Sequence, residues 1–353
     1  MAAAGRTMAP MSPFVVLAIL ATQAPDLSGF AALAPDPSPA EITRGSHYWI
    51  GNEHRLDLFF PEVKGKGGVH VGVGAEQNWL MCGWSRCEAI VLMDFDQSIV
   101  DLHRVYFAAF ATAETKEQFL ALWLDKKRTG LRAALKARYQ GAELKGALAA
   151  LDVARWNVER RFGALKTQLV DKGIPTYFSN DGDYAHVRSV VVAGRAFAVR
   201  GDLTANRAMQ SIGAAVTRAG MTVQTWYLSN AEQYFSYDKQ TRANYLGLPF
   251  TETSVVLRTH GWNSLRYAKD GNSYHYGIQT GPSLQAFLRE PAVTSSRQIL
   301  QWAALHGEKG CSLQASTAPL AAKATFEASR PAKPRPKTAP AATTASTSAP
   351  ATP

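Results

Sequence analysis

The chain has 353 residues, of which 46% are hydrophobic and 10% are aromatic, and its formal net charge is +10. This length and apolar content allow one full-sized core or two smaller ones, which excludes a wholly disordered chain. Three cysteines are too few for a disulfide scaffold, which excludes the small disulfide-rich secreted proteins.

The first forty residues are predicted to form an export signal or a disordered leader. An apolar run at residues 13–21 follows the base Arg6, and Ala32-Leu33-Ala34 is typical of a cleavage site. Because the run is too short to span a bilayer, we expect an export signal and no transmembrane helix. A true signal implies a periplasmic or secreted protein. The alternative is a misassigned start codon upstream of a cytoplasmic protein.

The middle of the chain opens with a predicted β-α-β unit. Residues 68–73 form a buried strand that runs into a glycine turn, residues 76–87 have apolar side chains at helical spacing, and residues 89–93 form a second buried strand. A continuous apolar run of this kind indicates a parallel strand covered on both faces. Cys82 and Cys87 lie five residues apart on the predicted helix, so we expect buried or idle thiols and no metal site, with an oxidised pair as the alternative in an exported protein.

Residues 97–172 are predicted to form a helical insertion after the second strand, because the segment is rich in Ala, Leu, Lys and Arg. Its part from Lys126 to Lys172 carries twelve basic and four acidic residues. We interpret this charge as a solvated face, with contact to an anionic surface as the alternative. Residues 315–353 are predicted to be a disordered tail of Ala, Pro, Thr and Ser. Further elements are predicted as strands at 187–192, 196–199, 222–228, 254–259 and 274–278 and as a helix at 205–219.

Several signatures of catalysis and binding are absent from the sequence. It contains no Gly-x-Ser-x-Gly elbow, no Cys-x-x-Cys pair, no phosphate-binding Walker loop, no His-Glu-x-x-His helix and no specific nucleic-acid motif. The Asn-Asp-Gly-Asp-Tyr segment at residues 180–184 lacks the later carboxylate of a calcium loop, so we interpret it as a turn.

The clearest functional motif is the glycine turn after the first strand. Gly72 and Gly74 supply two glycines of a G-x-G-x-x-G turn, and Glu76 and Gln77 follow them into the helix. Asp94 comes 22 residues after Gly72, where a carboxylate accepts hydrogen bonds from ribose hydroxyls. This order predicts a nucleotide-type ligand, either NAD or S-adenosylmethionine, with a turn that merely packs as the alternative.

These residues resemble the class I S-adenosylmethionine-dependent methyltransferase superfamily. The resemblance covers residues 67–257, and more narrowly the chain is similar to an uncharacterised bacterial methyltransferase-like family with a Ser-Asn-Ala-Glu-Gln-Tyr segment. It implies that the glycine turn holds the methionine part, that Asp94 or Asp96 holds the ribose, and that Asp202 contacts the adenine amine. Two positions depart from the superfamily, since His70 replaces an acid and Glu76 replaces a small residue. The motifs that carry the resemblance are His70-Val71-Gly72-Val73-Gly74, Asp94 or Asp96, Gly201-Asp202 and Ser229-Asn230.

Asn230, Glu232 and Tyr234 follow a buried strand and are predicted to form the substrate side of the site. Glu232 would serve as a general base and Tyr234 would stack on the substrate, whereas the alternative is a helix N-terminus with no role in binding. We therefore expect a Rossmann-like, doubly wound, mostly parallel α/β domain over residues 41–314. Its expected function is that of a methyltransferase-like protein that binds S-adenosylmethionine and acts on an unknown small molecule. The alternatives are a non-catalytic exported binding or scaffold domain and an NAD-linked oxidoreductase, which lacks support because no Tyr-x-x-x-Lys pair follows.

Overall fold

The computed structural model describes residues 25–42, 45–261, 274–307 and 310–330, and within them the chain forms a mixed α/β fold around one sheet. The eight strands are β1 (Val69–Val73), β2 (Ala89–Asp94), β3 (Ala196–Arg200), β4 (Val223–Tyr227), β5 (Val255–Gly261), β6 (Tyr274–Thr280), β7 (Ala304–Leu305) and β8 (Cys311–Gln314). The order across the sheet is β3-β2-β1-β4-β5-β6-β8-β7.

The five neighbouring strands β3, β2, β1, β4 and β5 are mutually parallel. β6 runs antiparallel to β5, β8 runs parallel to β6, and the short β7 closes the edge antiparallel to β8. Every residue of β1, β2 and β4 is buried, as expected for strands covered on both faces. The carboxyl ends of the five parallel strands therefore meet along one edge of the sheet.

The helices form one layer on each face of the sheet, and each layer has its own apolar core. None of the helices in the described ranges is both long and apolar enough to cross a membrane. The first layer contains α2 (Phe60–Val63), α3 (Gln77–Ser85), α4 (Gln97–Thr112), α5 (Lys116–Leu124), α6 (Thr129–Arg138), α7 (Gly141–Gln168) and α8 (Asp181–Val192). The second layer contains α1 (Ser28–Ala31), α9 (Ala208–Arg218), α10 (Lys239–Leu246), α11 (Gly281–Arg289) and α12 (Ser296–Gln301).

The predicted helical segment at residues 97–172 consists of α4 to α7. The side chain of Asp96 caps α4 by accepting a hydrogen bond from the backbone N–H of Ser98. α4 packs against β2 and β3, and α7 packs along α4. The segment is therefore built onto the sheet through α4 and extends outward through α7.

The predicted strand at residues 187–192 is wrong, because these residues belong to α8. The side chain of Asn180 caps this helix by accepting from the N–H of Asp183 at 3.0 Å. Tyr184, Val187 and Val191 are buried at helical spacing. The valine-rich run favours a strand locally, but the cap and the buried face favour a helix.

The amino-terminal segment packs on the fold from before residue 30, whereas the predicted leader extended to residue 40. Phe30 is 2% exposed, and its ring stacks on Phe197 with centroids 5.0 Å apart. The buried carboxylate of Asp36 accepts backbone N–H groups from Asp202 and Arg207, both at 3.0 Å. The predicted apolar run at residues 13–21 lies outside the described residues.

The carboxyl-terminal tail also differs from its prediction, because α13 (Pro319–Ala328) forms within it. The helix begins with a proline in its first turn and continues through alanine-rich sequence of high helix propensity. No residue of α13 is buried. The helix therefore reflects local propensity more than packing, and residues 331–353 lie outside the described residues.

Candidate functional site

A cleft of about 900 Å³ opens beyond the carboxyl ends of β1 to β5. Ligands of open α/β sheets bind at this edge, near the point where the strand order reverses. Here the reversal falls between β1 and β4. One further wall comes from residues 46–52, ahead of the sheet. The strand-end residues that line the cleft are Val73 to Ala75, Asp94 to Asp96, Gly201 to Thr204, Ser229 to Ala231, and His260 with Gly261.

The two glycines of the turn have different roles. Gly74 lines the cleft with a φ of +90°, a backbone conformation that favours glycine. Gly72 is not among the residues that line the cleft. A Cβ atom at Gly72 would lie only 1.8 Å from Oδ1 of Asn78, so the glycine is required there by packing. Of the two predicted positions, the structure brings only Gly74 to the cleft.

His70, which stands where the resembled superfamily has an acid, joins three elements. Its Nδ1 lies 2.7 Å from Oγ1 of Thr225 on β4, and its Nε2 lies 3.1 Å from Oδ1 of Asn78 on α3. Burial lowers the pKa of His70 to about 4, although the bond to Asn78 acts in the opposite direction. A neutral, fully bonded imidazole therefore holds the glycine turn in place.

Glu76 is buried and its two oxygens have protein partners. Oε1 accepts from Nε of Arg161 on α7 at 2.6 Å, and Oε2 accepts from the N–H of Gly51 at 2.9 Å. Arg161 also donates to the backbone oxygen of Glu53 at 3.2 Å. The predicted cofactor contact at Glu76 is therefore corrected, because its carboxylate is committed to a buried ion pair.

Gln77 remains at the cleft as predicted. Its side chain is buried, lines the cavity and packs against Gly51 of the amino-terminal wall. Its Oε1 has no hydrogen-bond partner among the described residues. The Gln77 side chain thus joins the glycine turn to the amino-terminal wall of the cleft.

Asp94 and Asp96 both line the cleft after β2. Oδ1 of Asp94 accepts from the N–H of Asp96 at 2.9 Å. Burial raises the pKa of Asp94 to about 7, and the charge of Asp96 raises it further against the lowering effect of backbone hydrogen bonds. Asp96 is already engaged, since it caps α4 and accepts from Nδ1 of His47 at 2.6 Å. Asp94 is therefore the better placed of the two for a ribose.

Asp202 lines the cleft after β3, as predicted. Its Oδ1 accepts from the N–H and the hydroxyl of Thr204, both at 2.8 Å. Its own N–H is held by the buried carboxylate of Asp36. The amino-terminal segment thus fixes the loop that carries Asp202.

The charge of the cleft contrasts with that of the whole chain. Three aspartates line it, and no lysine or arginine occurs among its described lining residues. The formal net charge of the chain is nevertheless +10. Opposite charges attract, so the arrangement favours a cationic ligand over an anionic one.

The three residues predicted after β4 do not act together. Asn230 and Tyr234 line the cleft, and Tyr234 is 52% exposed. Glu232 is buried outside it, where it accepts from Nε of Arg258 at 2.5 Å and from the hydroxyl of Tyr237 at 2.6 Å. The predicted role of Glu232 as a general base is therefore corrected. The alternative of a helix N-terminus is met in part, because residues 231–234 form a short 3-10 helix without a side-chain cap.

The predicted site left out several polar residues that line the cleft, among them His260 and Ser229. His260 is the second-last residue of β5, and burial lowers the pKa of this histidine. Ser229 has a left-handed backbone with a φ of +50°, and its hydroxyl donates to Oε1 of Glu53 at 2.5 Å. The position of His260 at a predicted strand end was a usable signal, whereas the partner of Ser229 lies 176 residues away in sequence.

Comparison with known proteins identifies a family for the chain, but that family has no assigned reaction. The model of a family described as a domain of unknown function (DUF7790) matches residues 48–315. The match includes all eight strands and every strand-end segment of the cleft. No curated protein matches the chain.

Proposed function

We propose that this chain, which belongs to the DUF7790 family of unknown function, binds S-adenosylmethionine and is methyltransferase-like toward a small molecule. The charge of the cleft is the observation that carries the proposal. The described lining holds three aspartates and no basic side chain. The sulfonium of S-adenosylmethionine is cationic, whereas the pyrophosphate of NAD is anionic and is usually met by backbone N–H groups at a helix end. This contrast favours the sulfonium ligand.

The strand order gives independent support. The parallel order β3-β2-β1-β4-β5 is that of a Rossmann-like sheet, and Gly74 leaves β1 at the reversal point. Asp94 follows the neighbouring β2, where a ribose carboxylate is expected. Asp202 follows β3, on the side where the resemblance implies the adenine. The three positions fit one nucleoside lying across the ends of three adjacent strands.

The acceptor would lie beyond β4 and β5. The methyl group is supplied by the bound S-adenosylmethionine, and the chain contributes position and exclusion of water. Asn230 and Tyr234 would orient the acceptor. His260, kept neutral by burial, would accept a proton from an acceptor hydroxyl or amine. Glu232 has no part in this scheme, since it is paired with Arg258.

Calorimetric titration of the full chain with S-adenosylmethionine, its demethylated product and NAD tests this proposal. We expect micromolar binding of the first two and no binding of NAD. At pH 8, where the Asp94 carboxyl is mostly ionised, Asp94→Asn should weaken binding at least about tenfold, or 1.4 kcal/mol, because it removes a charge-assisted hydrogen bond.

Asp152→Asn is the matched control, because Asp152 lies on α7 and pairs with Arg128 outside the cleft. Its affinity for S-adenosylmethionine should equal that of the unaltered chain. Preference for NAD, or absence of any binding by a protein shown to be folded, would contradict the proposal.

A further inference from the structure

A cluster of sulfur and nitrogen ligands lies at the end of α3 that faces away from the glycine turn. Sγ of Cys82 and Sγ of Cys87 are 3.0 Å apart, and a ring nitrogen of His186 on α8 completes a group whose atoms all lie within 4.8 Å of one another. None of the three residues lines the cleft. The cluster is therefore separate from the proposed cofactor site.

The approach of the two cysteines contradicts the expectation from their spacing. The spacing argument assumed one continuous helix, but α3 ends at Ser85. Arg86 then adopts a left-handed backbone with a φ of +57°, which turns the chain back on the helix. This turn brings Cys87 beside Cys82, and both thiols are buried.

Asp183 lies beside the cluster but outside the group of candidate ligand atoms. It lies on α8 one turn before His186 and is buried. Its Oδ1 accepts from Arg86 at 2.6 Å, whereas its Oδ2 has no hydrogen-bond partner among the described residues. Gly83 makes room for it on α3, because a Cβ there would lie 3.3 Å from Cβ of Asp183. Asp183 and Arg86 therefore form an ion pair next to the cluster.

We infer that Cys82, Cys87 and His186 form a zinc-binding site. Two thiolates and an imidazole are ligands that Zn²⁺ prefers, and a water molecule would complete the four-coordinate geometry. The ion pair of Arg86 with Asp183 borders the site and would orient its surroundings from outside.

The charges of this site balance. Two thiolates carry −2 and Zn²⁺ carries +2, while the adjacent Asp183 and Arg86 neutralise each other. A buried group of ions is tolerated only when its charges are paired in this way. Bound zinc would join the end of α3 to α8 on one face of the sheet, so its role is to hold two elements together.

Metal analysis of the purified full chain, combined with Co²⁺ titration of the metal-free protein, tests the inference. We expect one zinc ion per chain and a sulfur-to-cobalt charge-transfer band. Cys82→Ser and Cys87→Ser should abolish the band and lower zinc content at least tenfold. Cys311→Ser is the matched control, because Cys311 is a buried thiol in β8 outside the cluster, and it should keep both signals.

The buried cysteine variants could lose zinc because they fail to fold, so His186→Asn is a second test. His186 is only half-buried, and its replacement should leave the fold intact. It should weaken zinc binding at least tenfold with an unchanged circular dichroism spectrum. Zinc affinity unaffected by His186→Asn would overturn the three-ligand site. A folded, reduced chain that binds neither metal would overturn the inference, as would a metal-free chain whose mass shows a Cys82–Cys87 disulfide.

Discussion

The carboxyl group of Asp94 makes the stability of the fold depend on pH near neutrality. Burial raises the pKa of Asp94 to about 7 in the folded chain, against about 3.9 in an unfolded one. Between these two values the folded state retains a proton that the unfolded state has released. The stability associated with that proton is complete below pH 4 and is lost as the pH rises toward 7.

We therefore predict that Asp94→Asn changes how stability depends on pH. From pH 5 to pH 7.5, the free energy of unfolding of the unaltered chain should fall by about 2–3 kcal/mol relative to the variant, at 1.4 kcal/mol per pKa unit. Urea denaturation at both pH values measures this difference. Parallel profiles for the two proteins would show that Asp94 titrates normally.

The predicted site residues differ in whether the sequence could place them at the cleft. Gly74, Asp94 and Asp202 reach the cleft, because each follows a recognisable buried strand and strand ends share one edge. Glu76 and Glu232 do not, although Glu76 follows the same glycine turn and Glu232 lies between the cleft residues Asn230 and Tyr234. Each glutamate is paired with a buried arginine, which lies 85 residues away in sequence for Glu76 and 26 for Glu232. A local sequence pattern cannot predict pairs that are so far apart in the chain.

At the scale of elements, strands were easier to predict than short or context-dependent pieces. β1, β2 and β4 lie within a residue or two of their predicted bounds, because a continuous apolar run suits a strand buried on both faces. α8 was predicted as a strand because its valines favour one locally. β7 has only two residues, and pairing with β8 is what defines it.

The ion pair of Arg161 with Glu76 attaches α7 to the segment that follows the glycine turn. Arg161→Met should lower the free energy of unfolding by about 3–5 kcal/mol, because it leaves the carboxylate of Glu76 buried and unpaired. Urea denaturation measures the loss. Arg128→Met, which breaks a partly exposed pair with Asp152, should cost no more than about 1 kcal/mol.

Adding Glu76→Gln to Arg161→Met should recover part of the lost stability, since the double variant no longer buries a charge. An Arg161→Met cost equal to that of the control, or no recovery in the double variant, would mean that the ion pair contributes little.

At the scale of the whole molecule, the amino-terminal segment ties the second helical layer to the cleft. Phe30 packs against β3, and Gly29 packs against α9. Asp36 holds the loop that carries Asp202. Cleavage after Ala34, the site suggested by the sequence, would remove Phe30 and leave Asp36.

A chain that starts at Pro35 should accordingly be less stable than one that starts at Pro25, by about 3–5 kcal/mol, the cost of removing a buried phenylalanine. Phe30→Ala in the longer chain should reproduce most of the loss. Equal unfolding free energies for the two starts would mean that the segment is dispensable and would support processing at Ala34.

The charge of the molecule is distributed unevenly over its surface. The part of the insertion from Lys126 to Lys172 has eight more basic than acidic residues, but Arg161 is buried, and Arg128 and Arg132 share Asp152. α7 also exposes Trp156, over whose ring the guanidinium of Arg160 lies at 4.8 Å. Contact of this face with an anionic surface stays a prediction.

α3 is the one described helix of its length in which every residue is buried. It starts at the cleft with Gln77 and, about 8 Å further along its axis at 1.5 Å per residue, reaches Cys82. Most helices have a solvent-facing side on which sequence can drift without effect, and α3 has none. Random mutagenesis should therefore find its lowest tolerance in these nine residues, and natural variants there would need compensating changes on α4, α8 or the sheet.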